Sequence, residues 1–235
     1  TISPEQLLTN IQHVQQQNEL EPSKQLDFIE YRDEVGESIE SNFANLSIEM
    51  ETGTGKTYVY LRSIYELNKI YGFKKFVIVV PSVAIREGVL KNLQITFDHF
   101  QELYNSTPAS FEVYDSKKPA SLTNFSRSNT IQILVINIDS FTKDANIINQ
   151  VRERGIKPIE YIQGTRPIVI IDEPQNMDTD IRKKAISNLN PLFTLRYSAT
   201  HSNTYNLLYK LDPVKAYDLG LVKQIEIDSV LSAND

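Results

Sequence analysis

The chain of 235 residues is 40% hydrophobic and 23% charged, which fits an α/β-sized globular unit with an appendage and needs no cross-link to stabilise its core. With no cysteine, it excludes a disulfide framework, a thiolate metal site and a cysteine nucleophile, and His13, His99 and His201 stand too far apart in sequence to predict a histidine metal cage. A net charge of −6 excludes a protein that coats nucleic acid by bulk charge, while local basic patches remain open to it.

No apolar run approaches the ~20 residues of a membrane helix, and the start TISPEQ lacks the charged beginning and apolar core of a signal peptide. The chain therefore reads as cytoplasmic. The absent Met and the ending at VLSAND predict a piece of a longer polypeptide. Ser3 as N-cap, Pro4 at N1 and Gln6 at N3 open a helix, with Ile2 placed to staple onto Leu7. Leu7 or Leu8, Ile11 and Val14 continue it at helical spacing, and the polar run from Gln15 to Asn18 reads as its fraying end. Residues 19–42 carry many acidic groups around scattered aromatics, the pattern of short helices or loops on a solvated connecting face rather than of a strand.

From residue 45 short apolar runs alternate with helix-length amphipathic segments, the rhythm of βαβ units. Leu46 to Met50 predicts a strand. Tyr60, Ile64, Leu67 and Tyr71 line one face of the next helix, Gly72 closes it, and Phe76 to Val80 forms a buried strand stopped by Pro81. Further strands are expected at Phe111–Tyr114, Ile131–Ile136, Ile168–Ile171 and Leu192–Tyr197, with loops or irregular helices at Ser116–Thr130 and Lys143–Thr165. The longest runs are nearly continuous in Ile, Val and Leu, which predicts a parallel sheet covered on both faces.

Three segments carry chemistry. Met50-Glu-Thr-Gly-Thr-Gly-Lys-Thr57 stands between a predicted strand and a predicted helix, the context of a phosphate-binding P-loop, although Met50 occupies the position where the usual pattern has its first glycine. Gly53 and Gly55 let successive N–H groups, with that of Thr54, turn around phosphate oxygens; Lys56 supplies charge to the β- and γ-phosphates, and the Thr57 hydroxyl suits Mg²⁺. In Ile168-Val-Ile-Ile-Asp-Glu-Pro-Gln175 the carboxylates appear where a buried strand emerges, at the sheet edge that also carries the P-loop. Asp172 is the candidate for holding Mg²⁺, and Glu173 for orienting and deprotonating the attacking water. Leu195-Arg-Tyr-Ser-Ala-Thr-His201 ends a strand in small hydroxyl residues. Gln175, Ser198 and Thr200 are candidates for relaying the state of the γ-phosphate; alternatively the hydroxyls cap a helix starting at Ser202.

In order, GTGKT, DEPQ and SAT resemble motifs I, II and III of superfamily 2 helicases and translocases. METGTGKTYVYLRSIYELN, FVIVVPSVAIREGV, VINIDSF, VIIDEPQNM and YSATH resemble the Res subunit of type III restriction-modification enzymes, in particular its first RecA-like motor domain, over residues 45–230. The resemblance implies an α/β fold with a mostly parallel sheet and helices on both faces, organised as a helical N-terminal segment (1–44) and an ATP-binding motor domain (45–235). It implies ATP and Mg²⁺ as ligands and ATP-driven movement on double-stranded DNA. The implied partners are a second RecA-like domain and a nuclease domain of the same polypeptide, and a methyltransferase/specificity subunit. It also places DNA contacts near Pro81, Ser82 and Arg86 and near Asn137 and Ser140, where hydroxyls, an amide and a guanidinium suit sequence-independent phosphate contacts.

Nothing after residue 201 resembles a second RecA-like domain with its arginine finger, or a nuclease centre, so the sequence predicts one half of an ATPase site. Two rival readings stay open. A P-loop phosphotransferase accounts for GTGKT and the carboxylate but gives SAT and VVPS no role, and a nucleotide-gated interaction module binds ATP without turnover.

Overall fold

The Ser3 cap and Pro4 at the N-terminus act as the sequence predicts, whereas Ile2, placed to staple onto Leu7, is 47% exposed. In the computed structural model, which describes residues 2–118, 120–152, 155–200 and 202–222, α1 spans Pro4–Gln17, and the Ser3 hydroxyl accepts the Gln6 N–H at 3.2 Å. The expected fraying end is corrected by Gln15. It is 1% exposed, donates to Leu207 O at 2.9 Å and accepts from Ser23 N at 2.7 Å, while Asn18 donates to Leu208 O at 2.8 Å. Amide side chains thus fasten the helix end to a distant backbone segment that needs donors.

Residues 19–42 contain a hairpin, contrary to the loop-or-helix expectation. β1 (Glu30–Arg32) and β2 (Ser38–Glu40) pair antiparallel, Glu30 opposite Glu40. Turn chemistry explains it: Asp33 Oδ1 accepts the Val35 and Glu37 N–H groups, and Gly36 adopts a φ of 86°. The acidic residues that suggested a loop lie exposed along the ribbon, whereas Ile29 and Phe43 on either side of it are buried.

β3 (Ala44–Met50) leads through the glycine loop into α2 (Lys56–Tyr71), and β4 (Lys75–Val80) leads through Pro81 into α3 (Val83–Leu103). There follow β5 (Ala109–Val113), α4 (Ser121–Arg127), β6 (Ile131–Asn137), α5 (Pro158–Gln163) and β7 (Ile168–Asp172). The described chain continues with α6 (Asp180–Asn188), β8 (Phe193–Ser198), β9 (Tyr209–Leu211) and α7 (Pro213–Asp218). All six expected strand segments are present. The elements that apolar runs do not single out, α3, α6, α7 and β9, are short or bury few residues; α3 buries only Val89, Leu93 and Phe100 over 21 residues. Tyr71 is corrected from the buried face of α2 to 68% exposed.

β3 to β9 form one sheet of order β5-β6-β4-β7-β8-β3-β9, with every neighbouring pair parallel. Their carboxyl ends therefore share one edge. Alternation sends Phe76, Ile78, Val80, Ile168 and Ile170 to a face covered by α2, α3 and α7, through Tyr60, Ile64, Phe100 and Ala216. Val77, Val79, Val169 and Ile171 go to the opposite face, covered by α4, α5 and α6 through Phe125, Ile162 and Ile186. This is the expected α/β architecture, a parallel sheet with helices on both faces.

The second face changes character at β3 and β8. Asn45, Ser47, Thr194, Arg196 and Ser198 are all buried there, with Asn45 in register with Thr194 and Ser47 with Arg196. No helix starts at Ser202; residues 202–208 run as an irregular segment instead. Its backbone explains the polarity beneath it, since Tyr205 N donates to Ser47 Oγ at 3.0 Å and Leu208 N to Ser47 O at 2.9 Å.

Candidate nucleotide site

Residues 51–55 make the turn that joins β3 to α2. Gly53 and Gly55 have φ of 81° and 87°, and a Cβ built on either meets nothing within 4 Å, so backbone rotation rather than crowding requires glycine. The Thr54 hydroxyl donates to Glu51 O at 2.6 Å and braces the turn. Gly55 precedes α2, and no side chain among the described residues caps that helix. The first N–H groups of the helix therefore lack a side-chain acceptor at its cap and carry a partial positive charge, the polarity an anion requires. Lys56 and Thr57 occupy the first turn, as expected.

Asp172 and Glu173 stand at the carboxyl end of β7, on the edge that carries the glycine loop. Lys56 Nζ donates to Glu173 Oε1 at 2.5 Å, which brings the first and second segments into contact. Glu173 takes a left-handed conformation, φ 56° and ψ 58°, that costs a side-chain-bearing residue about 1–2 kcal/mol. Its N–H is held by Tyr197 O at 3.0 Å. Gln175 Nε2 donates to Glu173 Oε2 at 2.6 Å, and the Ser198 hydroxyl donates to Gln175 Oε1 at 2.7 Å. Ser198 Oγ also accepts the Thr200 N–H at 3.1 Å. A continuous hydrogen-bonded chain, Lys56–Glu173–Gln175–Ser198–Thr200, therefore crosses all three segments. The hydroxyl of Ser198 reaches the acidic pair through Gln175, and Thr200 joins through its backbone. His201 lies outside the described residues.

Sequence reasoning assigns Tyr60 to packing alone, yet its buried hydroxyl donates to Asp172 Oδ2 at 3.4 Å. Its place one turn after Thr57 on α2 is the signal, because that spacing puts both on one helix face. Burial, then the charge of Glu173, raises the Asp172 carboxyl to about 6 from 3.8, with Lys56 opposing. The folded state thus holds the proton more tightly than the unfolded chain. This contribution to stability is complete below pH ~4 and is lost as pH rises through ~6, amounting to about 3 kcal/mol. Asp172→Asn carries no such loss. In nucleotide-free protein with chelator, its melting temperature should gain on the parent between pH 4.5 and 7.5 and then level off. A pH-independent difference would show that Asp172 is ionised without cost.

The five DNA-contact candidates lie on the same edge. Pro81 and Ser82 link β4 to α3, where Ser82 Oγ accepts the Ile85 N–H at 3.3 Å as the helix cap. Asn137 ends β6 and its Oδ1 accepts the Asp139 N–H at 2.8 Å. Arg86 is paired with its neighbour Glu87 at 2.8 Å, and it shares the wall of an open polar cavity with Ser140, Tyr114 and Lys118. Ser82 and Asn137 thus already perform local capping, and Arg86 and Ser140 are the pair brought together.

A parallel sheet flanked by helices, with a glycine loop and two carboxylates at one edge, is a RecA-like α/β fold. Residues 11–203 match the family of the type III restriction enzyme, res subunit, and the chain belongs to that family. It is 35% identical over 214 residues to the StyLTI Res subunit of Salmonella typhimurium, covering 82% of this chain and 22% of that one. It is 30% identical over 246 residues to the EcoP15I Res subunit of Escherichia coli, covering 95% and 24%. The chain therefore spans about a quarter of the length of the curated relatives it matches. Among solved structures, a nuclease-deletion mutant of the type ISP enzyme LlaGI in complex with a DNA substrate mimic superposes with a TM-score of 0.50 at 15% identity, over 74% of this chain and 18% of that one. LlaBIII bound to DNA gives 0.50 at 16%, over 76% and 14%. These two share the fold. The family match ends before the DPVKAYDLGLVKQIEIDSV segment, whose residues from 223 lie outside the described residues. Among the described residues no helix is long and apolar enough to cross a membrane.

Proposed function

We propose that this chain is the ATP-binding motor domain of a DNA-dependent ATPase and translocase, a Res subunit acting in the cytoplasm, with residues 1–44 as its N-terminal segment and 45–235 as the motor domain. The observation that carries this reading is the hydrogen-bonded chain from Lys56 through Glu173 and Gln175 to Ser198. A cation that binds phosphate, a base, and a polar route away from both are thereby connected.

Residues 53–57 offer N–H groups and Lys56 to the phosphates. On binding, Lys56 exchanges Glu173 for the γ-phosphate, and the released carboxylate orients a water and takes its proton. Gln175, bonded to both Glu173 and Ser198, then registers whether Glu173 faces Lys56 or the water. Hard oxygen donors and a buried carboxylate with a long hydrogen bond suit Mg²⁺, which Thr57 and Asp172 would hold. When bound it neutralises charge on the β- and γ-phosphates. Pro81, Ser82, Arg86, Asn137 and Ser140 contact double-stranded DNA through its backbone. A second RecA-like domain, a nuclease domain and a methyltransferase/specificity subunit complete the machine.

Ground-state phosphate contacts need only this loop, but transition-state charge needs a further cation, and an arginine finger is worth about 10³–10⁵ in rate in related P-loop systems. Residues 1–235 alone should therefore bind ATP weakly and hydrolyse it hardly at all. They should bind DNA weakly too, through contacts that salt removes. Steady-state assays with and without DNA, on these residues and on the full-length polypeptide, test the reading. Transfer of phosphate to a small acceptor would favour a phosphotransferase, and ATP binding with no turnover in the full polypeptide would favour a nucleotide-gated module.

A further inference from the structure

Arg196 is 1% exposed in the middle of β8, flanked by Leu195 and Tyr197 on the opposite face. A permanent cation in that position demands a partner. It finds Asp178: Nη2 lies 2.9 Å from Asp178 Oδ1, and the guanidinium stacks 4.8 Å from the centroid of Tyr205. Nε has no hydrogen-bond partner among the described residues, so the charge is held by one carboxylate and one ring. Asp178 has further duties. Its second oxygen accepts the Ser202 hydroxyl, and Asn203 Nδ2 approaches it at 3.4 Å.

The positions of these residues matter more than the ion pair itself. Asp178 closes the 3-10 turn Pro174–Met177 that carries Gln175, and Arg196 lies two residues before Ser198 on the same face of β8. The Arg196–Asp178 bridge and the Ser198–Gln175 bond are therefore two rungs between the same two elements. Asp178 additionally ties down the segment that follows Thr200. A buried ion pair is a poor source of net stability, because desolvation offsets the attraction, but it fixes geometry sharply.

We propose that Arg196 and Asp178 are positioning residues that make the Gln175 turn, the end of β8 and the segment 202–206 move as one body, so that a change at Glu173 reaches the surface beyond Ser198. This rests on the motor reading above and names the coupling device within it. Neither residue belongs to the glycine loop or to the acidic pair.

Asp178→Asn keeps an oxygen acceptor and the volume while removing the charge, and Arg196→Lys keeps the charge but loses the planar fork. In the full-length polypeptide, both variants should keep the KM for ATP and the DNA-free turnover within about twofold of the parent, and lose at least tenfold of the DNA-stimulated turnover. Combining Asp178→Asn with Ser198→Ala should cost no more than the worse single change, since both interrupt one connection. Hydrogen exchange on residues 1–235 supplies a readout independent of turnover. A non-hydrolysable ATP analogue should alter protection at residues 173–176 in parent and Asp178→Asn alike, and at 202–206 in the parent only. Ser202→Ala, which leaves the ion pair intact, keeps the question open to test should Asp178→Asn or Arg196→Lys fail to fold; it should weaken transmission to 202–206 by itself. Transmission in Ser202→Ala, or in a folded Asp178→Asn, equal to that in the parent overturns the proposal. A full-length parent without any DNA-stimulated turnover overturns the motor reading, and the coupling role with it.

Discussion

Glu173→Gln should leave ATP binding at the parental level and lower turnover of the full-length enzyme by about 10²–10⁴, the usual contribution of a positioned general base. The amide keeps the shape of the carboxylate and one oxygen for Gln175, but cannot accept a proton from water. Backbone strain does not confuse the comparison, because glutamine pays the same cost as glutamate for φ 56°. The backbone cost therefore adds nothing to any change in melting temperature. What changes in the resting protein is Lys56, which loses its 2.5 Å charged partner and becomes readier to meet phosphate. ATP affinity should consequently equal or slightly exceed that of the parent. Single-turnover and calorimetric measurements together decide it, and near-normal turnover would move the base to another residue.

Lys56→Ala should weaken ATP binding by about 10- to 100-fold, the worth of a hydrogen bond to a charged group, and ADP binding by much less, because the role proposed for the lysine is to meet the γ-phosphate. A second effect has the same sign. Lys56 opposes the burial and the Glu173 charge that raise Asp172, so its removal pushes that carboxyl above about 6 and protonates part of it near neutrality. The loss of ATP affinity should therefore be larger at pH 6.5 than at pH 8.5 in the presence of Mg²⁺. Calorimetry at the two pH values checks both parts, and equal ATP affinity in variant and parent would remove Lys56 from the site.

The parallel sheet was legible because β4, β6 and β7 are apolar on both faces, and the glycine loop because GTGKT follows a strand and opens a helix. What escaped the sequence are features whose polar residues act against distant partners. Gln15 looks like a solvated helix end until residues 207 and 208 are seen to need its amide. The acids of β1 and β2 suggest a loop, although Asp33 and Gly36 build a hairpin turn between them. In the site, Lys56, Glu173 and Ser198 were readable from chemistry and edge position. The link between Glu173 and Ser198 depends on Gln175 presenting its two amide atoms in opposite directions, which spacing does not reveal. Arg196 in LRYS did carry a signal, since a guanidinium in a buried strand requires a carboxylate, but the sequence offers many and only the fold selects Asp178.

The left-handed backbone of Glu173 bears on how this family member can drift. At that position glycine escapes the conformational penalty of about 1–2 kcal/mol, while Glu173→Gly adds backbone freedom to the unfolded chain and removes the contacts with Lys56 and Gln175, so the fold should change little in stability. A library passed only through a screen for solubility or heat resistance should thus tolerate glycine at 173 and return well-folded proteins without the base proposed for that position. Where the proposed activity is no longer needed, the same position should be among the first to change, with the rest of the sheet intact. Glycine in place of the acid after an Ile-Val-Ile-Ile-Asp strand is accordingly the mark by which a retired relative could be told from a working one.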